Sequence, residues 1–171
     1  NGIGYLGTCE DTRTNLAFNA SFKASSTAES RTSKVSIETS PNAPLADKGS
    51  MKECERTYSY VANLVGDESN GTCWKAARDD SKPWIMADLG SLRKVAECKF
   101  YFYHPSEGQA WTLETSTDGQ TWKSCAEQNE IKICSPHKAI VNDTVRYLRL
   151  HILQGATGLW EWKILAPMAG Y

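Results

Sequence analysis

Apolar and polar positions alternate in short runs along most of the second half of the chain. The segments 94–103 (KVAECKFYFY), 111–116 (WTLETS), 130–134 (EIKIC), 138–142 (KAIVN), 145–153 (VRYLRLHIL) and 160–165 (WEWKIL) are brief and rich in aromatic and β-branched residues. Turn residues separate them, and that combination predicts strands. Asp118-Gly119 in TDGQ (117–120) lies between two such runs and supplies the positive φ that a tight hairpin needs. A helical period is nearly absent, and only a turn or two is expected near LADKGSMKECE (45–55). The expected fold is therefore all-β, an antiparallel jelly-roll sandwich whose end loops carry function.

The stretch from Ser25 to Tyr60 breaks this pattern. It is polar, interrupted by Pro41 and Pro44, and reads as a long loop insertion. Residues 1–166 are expected to form one module and residues 167–171 to begin a linker, so that the module belongs to a larger protein. A chain of 171 residues is ample for one such core.

Charge and cysteines narrow the setting. With 19 basic and 20 acidic residues spread along the chain, no footprint for a nucleic-acid backbone emerges. No apolar run approaches the ~18 residues that span a bilayer. Six widely spaced cysteines (Cys9, Cys54, Cys73, Cys98, Cys125 and Cys134) lack paired zinc knuckles, which favours disulfides. Cys125 and Cys134 flank a short segment and are expected to clip the base of a hairpin; the other four leave three pairings open. Sequons at Asn19, Asn70 and Asn142 join the cysteines in pointing to a secreted or cell-surface glycoprotein.

Five blocks carry a family resemblance: NLAFNASFKASSTAES, SYVANLVGDESNGTCWKAARDDSKPWIMADLGSLRKVAECKFYFYH, WTLETSTDGQTW, VRYLRLHIL and WEWKIL. In this order they resemble discoidin, or coagulation factor type C, domains, which include the family 32 carbohydrate-binding modules. The most specific pieces are PWIMADLG, STDGQTW and RYLRL. The resemblance implies a jelly roll of about eight strands that binds a ligand at one end without catalysis. It also implies a calcium loop in NLVGDESNGTCW, with the main chain of Asn63, then Thr72 and the remote Glu161 as ligands. Val65 stands where the family usually has an aspartate, so Asp67 is the substitute carboxylate. The competing reading makes GDESNG a polar turn and pairs Glu161 with a nearby cation.

His104 ends a strand and opens the loop SEGQA. Together with Glu107, Arg78, Asp79, Gln154 and Trp160 it forms the candidate glycan site, while the alternative is a surface histidine capping a turn. Trp84, Trp122 and Trp162 are expected in the core, Trp111 as packing, and Trp160 as the exposed aromatic; Trp74 stays open. No nucleophile elbow, paired-histidine metal motif or phosphate loop occurs, and Glu107 with Asp79 or Asp80 is only a nominal carboxylate pair. The rival ligands for such a scaffold are a protein partner or anionic phospholipid, the latter through Leu45, Met51, Lys48 and Lys52 in the long loop.

Overall fold

The computed structural model describes residues 12–38, 51–69 and 71–168, with main chain only over 35–38 and 51–53. Among the described residues nine strands follow in order: β1 (Ser21–Ala24), β2 (Arg31–Glu38), β3 (Met51–Tyr58), β4 (Trp74–Lys75), β5 (Trp84–Phe102), β6 (Gln109–Ser116), β7 (Lys123–Lys132), β8 (His137–Gln154) and β9 (Gly158–Leu165). Short 3-10 helices cover Leu16–Asn19 and Ala62–Gly66. The fold is the expected antiparallel sandwich.

Two long strands build both layers. The first part of β5 pairs with β1 and with the second part of β8, and β6 then β7 continue that layer. The second part of β5 pairs with β9 and with the first part of β8, and β4 adds to β9 at the edge. A register shift between Asp88 and Arg93 marks where β5 passes from one layer to the other. Between the layers Phe22, Ile85, Phe100, Leu113, Leu148, Leu150, Trp162 and Ile164 form one apolar cluster. Phe100 meets Phe102, Trp111 and Trp162 at ring separations of 6.3, 5.1 and 5.4 Å.

Several expectations change here. KAIVN and VRYLRLHIL fuse into the single strand β8, because Asn142 takes a left-handed φ of 44° and the chain continues through it as a bulge. The turn at 117–120 forms as expected: Gly119 has φ 77°, and Asp118 Oδ1 accepts from the backbone N–H groups of Gln120 and Thr121. The segment 25–60 is not all loop, since β2 and β3 pair as a separate two-stranded sheet from Arg31↔Tyr58 to Glu38↔Met51. Residues 51–55, expected near a helical turn, are thus extended. The described side chains at 31–34 and 54–58 are mostly exposed, so no buried face imprints an apolar alternation on this hairpin.

Trp84 and Trp122 are half-buried on the outer face rather than in the core. Strand parity explains Trp84: Ile85 and Ala87 face inward at 0 % exposure, which sends Trp84 and Met86 outward. Trp122 lies under the Arg149 guanidinium, 4.0 Å from ring centre to cation. The Cys125–Cys134 clip does not form. Cys125 lies within β7 and Cys134 two residues beyond it, so an extended segment separates two residues that a bridge needs within ~7 Å. Cys54, Cys73 and Cys98 are also free thiols; Cys9 lies outside the described residues.

Candidate functional site

One strand irregularity creates the site. In β9, Glu161 pairs with Tyr101 and Leu159 with Phe102, so two steps of β9 oppose one step of β5 and Trp160 is the extra residue. A bulge of this kind redirects a side chain that regular alternation would aim elsewhere. Leu159 and Trp162 remain in the core at 0 % exposure, while Trp160 turns to the surface half-buried. Its indole N–H donates to the Tyr103 carbonyl at 3.0 Å, and the two rings stack at 5.0 Å with 25° between planes.

Tyr103 is held from several directions. Lys75 Nζ lies 3.6 Å from its ring centre and 4.8 Å from that of Tyr60, and the His104 ring stands edge-on at 4.5 Å. Lys75 is brought there by β4, whose pairing with β9 sets Lys75 opposite Gly158. Tyr103 N–H in turn donates to the Gly158 carbonyl at 2.9 Å. The β2–β3 hairpin rises beside this stack and closes a cleft of about 550 Å³. Arg31, Ser33, Thr57 and Tyr58 come from the hairpin, Ser59 and Tyr60 follow it, and Leu64, Gly71, Thr72, Cys73, Tyr103 and Trp160 complete the lining. Aromatic faces and hydroxyls in one concavity suit a ring-shaped, hydroxyl-bearing ligand.

A second locus adjoins the cleft through Leu64, Gly71 and Thr72. The 3-10 turn at Ala62–Gly66 packs tightly, since a Cβ on Gly66 would stand 2.6 Å from the Ala17 carbonyl oxygen and 2.7 Å from the Phe22 ring. Asn63 Oδ1 accepts from Phe22 N–H at 2.9 Å, which spends its side chain on anchoring β1. Val65 is wholly buried. Asp67 Oδ1 accepts from Ser69 N–H and its Oδ2 from the Thr72 hydroxyl at 2.5 Å, while Glu68 accepts from Asn15. Glu161 is only 7 % exposed, and among the described residues no hydrogen-bond donor reaches its carboxylate. Burial pushes its carboxyl above the usual range; Lys163 opposes this, and the negative charges of Glu68 and Asp67 reinforce it. Among the described residues no three His, Cys, Asp or Glu side chains meet as a metal cluster on their own.

The matched family model is the F5/8 type C domain, over residues 48–165. The chain belongs to the F5/8 type C domain family. A structure described as a glycoside hydrolase is 39% identical with a TM-score of 0.69, covering 84% of this chain and 30% of its own. This F5/8 type C chain therefore spans less than a third of that protein's length. Chitosan-binding module 1 from the chitosanase/glucanase of Paenibacillus sp. IK-5 superposes with a TM-score of 0.63 at 20% identity, over 90% of this chain and 99% of that one. CpGH89CBM32-5 of Clostridium perfringens, in complex with GalNAc-β-1,3-galactose, gives 0.64 at 15% identity, over 90% and 100%. At these two identities the likeness shows the fold. No curated protein sequence matches significantly.

Within this F5/8 type C domain the residues singled out from sequence fall in several places. Trp160 lines the cleft and His104 leans on its Tyr103 wall. Arg78 and Asp79 line another groove with Thr27, Ala28, Glu29 and Ala77. The two are linked through the main chain, as Ala28 N–H donates to the Lys75 carbonyl at 2.8 Å. Glu107 is exposed, and its N–H donates to the His104 carbonyl, closing the loop's turn. Gln154 is exposed where β8 ends, opposite Ala110. Asp80 is a clamp: its carboxylate accepts from the hydroxyls of Ser25 and Ser26 and from Lys82 N–H, and the two serine bonds hold its carboxyl below the usual range. Tyr58, Tyr60, Lys75, Tyr103 and the hairpin wall escaped sequence reading. Parity offered one signal, because Phe100 and Phe102 face inward and Tyr103 sits past the last core position. Leu45 and Lys48, the side chains of Met51 and Lys52, and the sequon Asn70 lie outside the described residues.

Proposed function

We propose that this F5/8 type C domain is a non-catalytic carbohydrate-binding module that holds a glycan in the cleft between the β2–β3 hairpin and the Tyr103–Trp160 stack. The observation that carries this reading is the outward turn of Trp160 at a strand bulge, into a concavity that also offers Tyr58, Tyr60 and the hydroxyls of Ser33, Thr57, Ser59 and Thr72. Lys75 and Trp160 both contact the Tyr103 ring, which makes Tyr103 a pillar and leaves Trp160, Tyr58 and Tyr60 as stacking surfaces. Of the remaining candidates, His104 touches the cleft wall through the Tyr103 ring, Arg78 and Asp79 belong to the neighbouring groove, and Glu107 and Gln154 are exposed outside the lining. The ligands named for CpGH89CBM32-5 and for the chitosan-binding module support a sugar as the class of ligand.

Binding without chemistry is supported by the carbohydrate-binding modules among the similar structures, and Asp80, with its oxygens committed to Ser25, Ser26 and Lys82 and its carboxyl lowered, is a clamp rather than a general acid. The module then serves a larger protein by holding it near its glycan. Exposed Asn19 and Asn142, each within a sequon, support an extracellular setting. The test is a panel of immobilised neutral and acidic oligosaccharides probed with the wild type and Trp160→Ala. Signal on at least one glycan, lost in the variant, supports the reading; no signal, or signal unaffected by the substitution, overturns it.

The reading includes a structural calcium ion at the loop 63–72. A buried Glu161 that no donor among the described residues reaches, and whose carboxyl feels the negative charges of Glu68 and Asp67, suits a hard cation, and main-chain carbonyls such as that of Asn63 would complete the oxygen set with Thr72. The ion would neutralise the clustered carboxylates and brace the loop that lines the cleft through Gly71 and Thr72.

A further inference from the structure

The glycan reading leaves open what kind of sugar the cleft selects, and the charges around it bear on that question. Arg31 stands in the hairpin wall, exposed at the first position of β2 opposite Tyr58. Lys75 sets its ammonium between Tyr60 and Tyr103, two rings of the lining, and its field lowers the proton affinity of Cys73 in the same lining against the larger upward push of burial. The lining itself contains no carboxylate among the described residues. Asp67 is the nearest acid tied to it by a hydrogen bond, and that bond turns its Oδ2 to the Thr72 hydroxyl. The neighbouring groove is different in kind, since there Glu29 and Asp79 accompany Arg78.

Resting on the reading that this cleft binds glycan, we propose that its preferred ligand is an anionic sugar, a uronate, whose carboxylate pairs with Arg31 in the lining while the ring packs on Trp160, Tyr58 or Tyr60, and that Lys75, packed on the Tyr60 and Tyr103 rings rather than in the lining itself, adds to the positive field. A guanidinium matches a carboxylate with two parallel N–H donors, and a lysine fixed against two tyrosine rings has already lost much of its side-chain freedom. The hairpin is what adds the cation on the far wall. Positive charge at this cleft disfavours a polycation, so a chitosan oligomer is expected to bind more weakly than a uronate.

The experiment is isothermal titration of the intact chain with tetragalacturonate, with GalNAc-β-1,3-galactose and with a chitosan tetramer, at low and at high sodium chloride. The expected result is tightest binding of tetragalacturonate, weakened about tenfold by the high salt and about three- to tenfold by either Arg31→Gln or Lys75→Met. Arg31 is exposed and Lys75→Met keeps the apolar stem, so both variants are expected to melt like the wild type, and circular dichroism checks this. Binding of the neutral disaccharide or the chitosan tetramer as tight as tetragalacturonate overturns the charge assignment and leaves the glycan reading standing. Uronate binding indifferent to both substitutions also overturns it. No binding of any of the three removes the inference, and the panel of immobilised glycans decides the underlying reading separately.

Discussion

Trp160 and Trp162 stand two residues apart on one strand, yet one belongs to the core and the other to the surface. Trp162 keeps the regular pairing, opposite Phe100, and packs against Phe22 and Phe100 at 5.8 and 5.4 Å. Trp160 is the residue that the bulge leaves without a partner, and it stacks on Tyr103 at the edge of the cleft. The same side chain is thus buried for cohesion or turned outward, where the proposed reading uses it for recognition, according to one register slip, and neither composition nor spacing separates the two placements.

The contrast breaks most sharply under alanine substitution. Trp162→Ala empties the centre of the sandwich and is expected to cost about 3–5 kcal/mol in chemical denaturation. Trp160→Ala is expected to melt close to the wild type while weakening glycan binding about tenfold or more, as removal of a central aromatic anchor does. A variant at Trp160 that unfolds like the one at Trp162 would mean that its ring is structural after all.

Glu161, between the two tryptophans, sharpens the comparison at smaller scale. Its carboxyl is raised in the fold, so its ionised form is disfavoured there, and stability falls as pH rises from the unfolded-state value through the folded one. Glu161→Gln should therefore raise the melting temperature of chelator-treated protein at neutral pH. The difference should shrink below the ordinary glutamate value of 4.5. Added calcium should stabilise the wild type and leave the Gln variant unmoved, since only a ligand of the native state shifts the equilibrium. A wild type indifferent to calcium removes the proposed ion.

The outer face gives the smallest expected effect. Glu114 accepts from Arg149 at 2.7 and 3.0 Å and lies 3.1 Å from His151. Burial raises its carboxyl, but the hydrogen bonds from Arg149 and His151 outweigh it and the net shift is downward. A lowered carboxyl stabilises the fold above its unfolded-state value, and that contribution disappears as pH falls through the folded one. Glu114→Gln should cost about 1 kcal/mol at neutral pH and nothing in acid, as read from urea midpoints at the two pH values.

The central strands are legible because they have a buried face: alternation shows over Trp111–Thr115 in β6 and over Leu148–Ile152 in β8, whereas β7, read only as EIKIC at 130–134, runs over Lys123–Lys132 with no buried position. The hairpin β2–β3 is not legible, since its described side chains are mostly in solvent and its sequence carries no imprint of a core. The tryptophans were sorted correctly where parity against the core decides, as for Trp111 and Trp162. Size alone misplaces Trp84 and Trp122: Ile85 and Ala87 fill the inside beside Trp84, and Trp122 precedes β7 and lies under Arg149 on the outer face. Trp160 was named for a weaker reason than the bulge that places it, and a bulge leaves no mark in sequence. The carboxylate loop is legible only through family likeness; what the fold adds is the burial of Glu161 within reach of the charges of Glu68 and Asp67.

The most direct measurement is a nitrogen–proton correlation spectrum of the indole groups during titration with tetragalacturonate and, in parallel, with GalNAc-β-1,3-galactose. A glycan held in the cleft moves the Trp160 indole resonance and leaves those of Trp74 and Trp162, both fully buried, in place. Binding of either sugar with Trp160 unmoved would contradict the account.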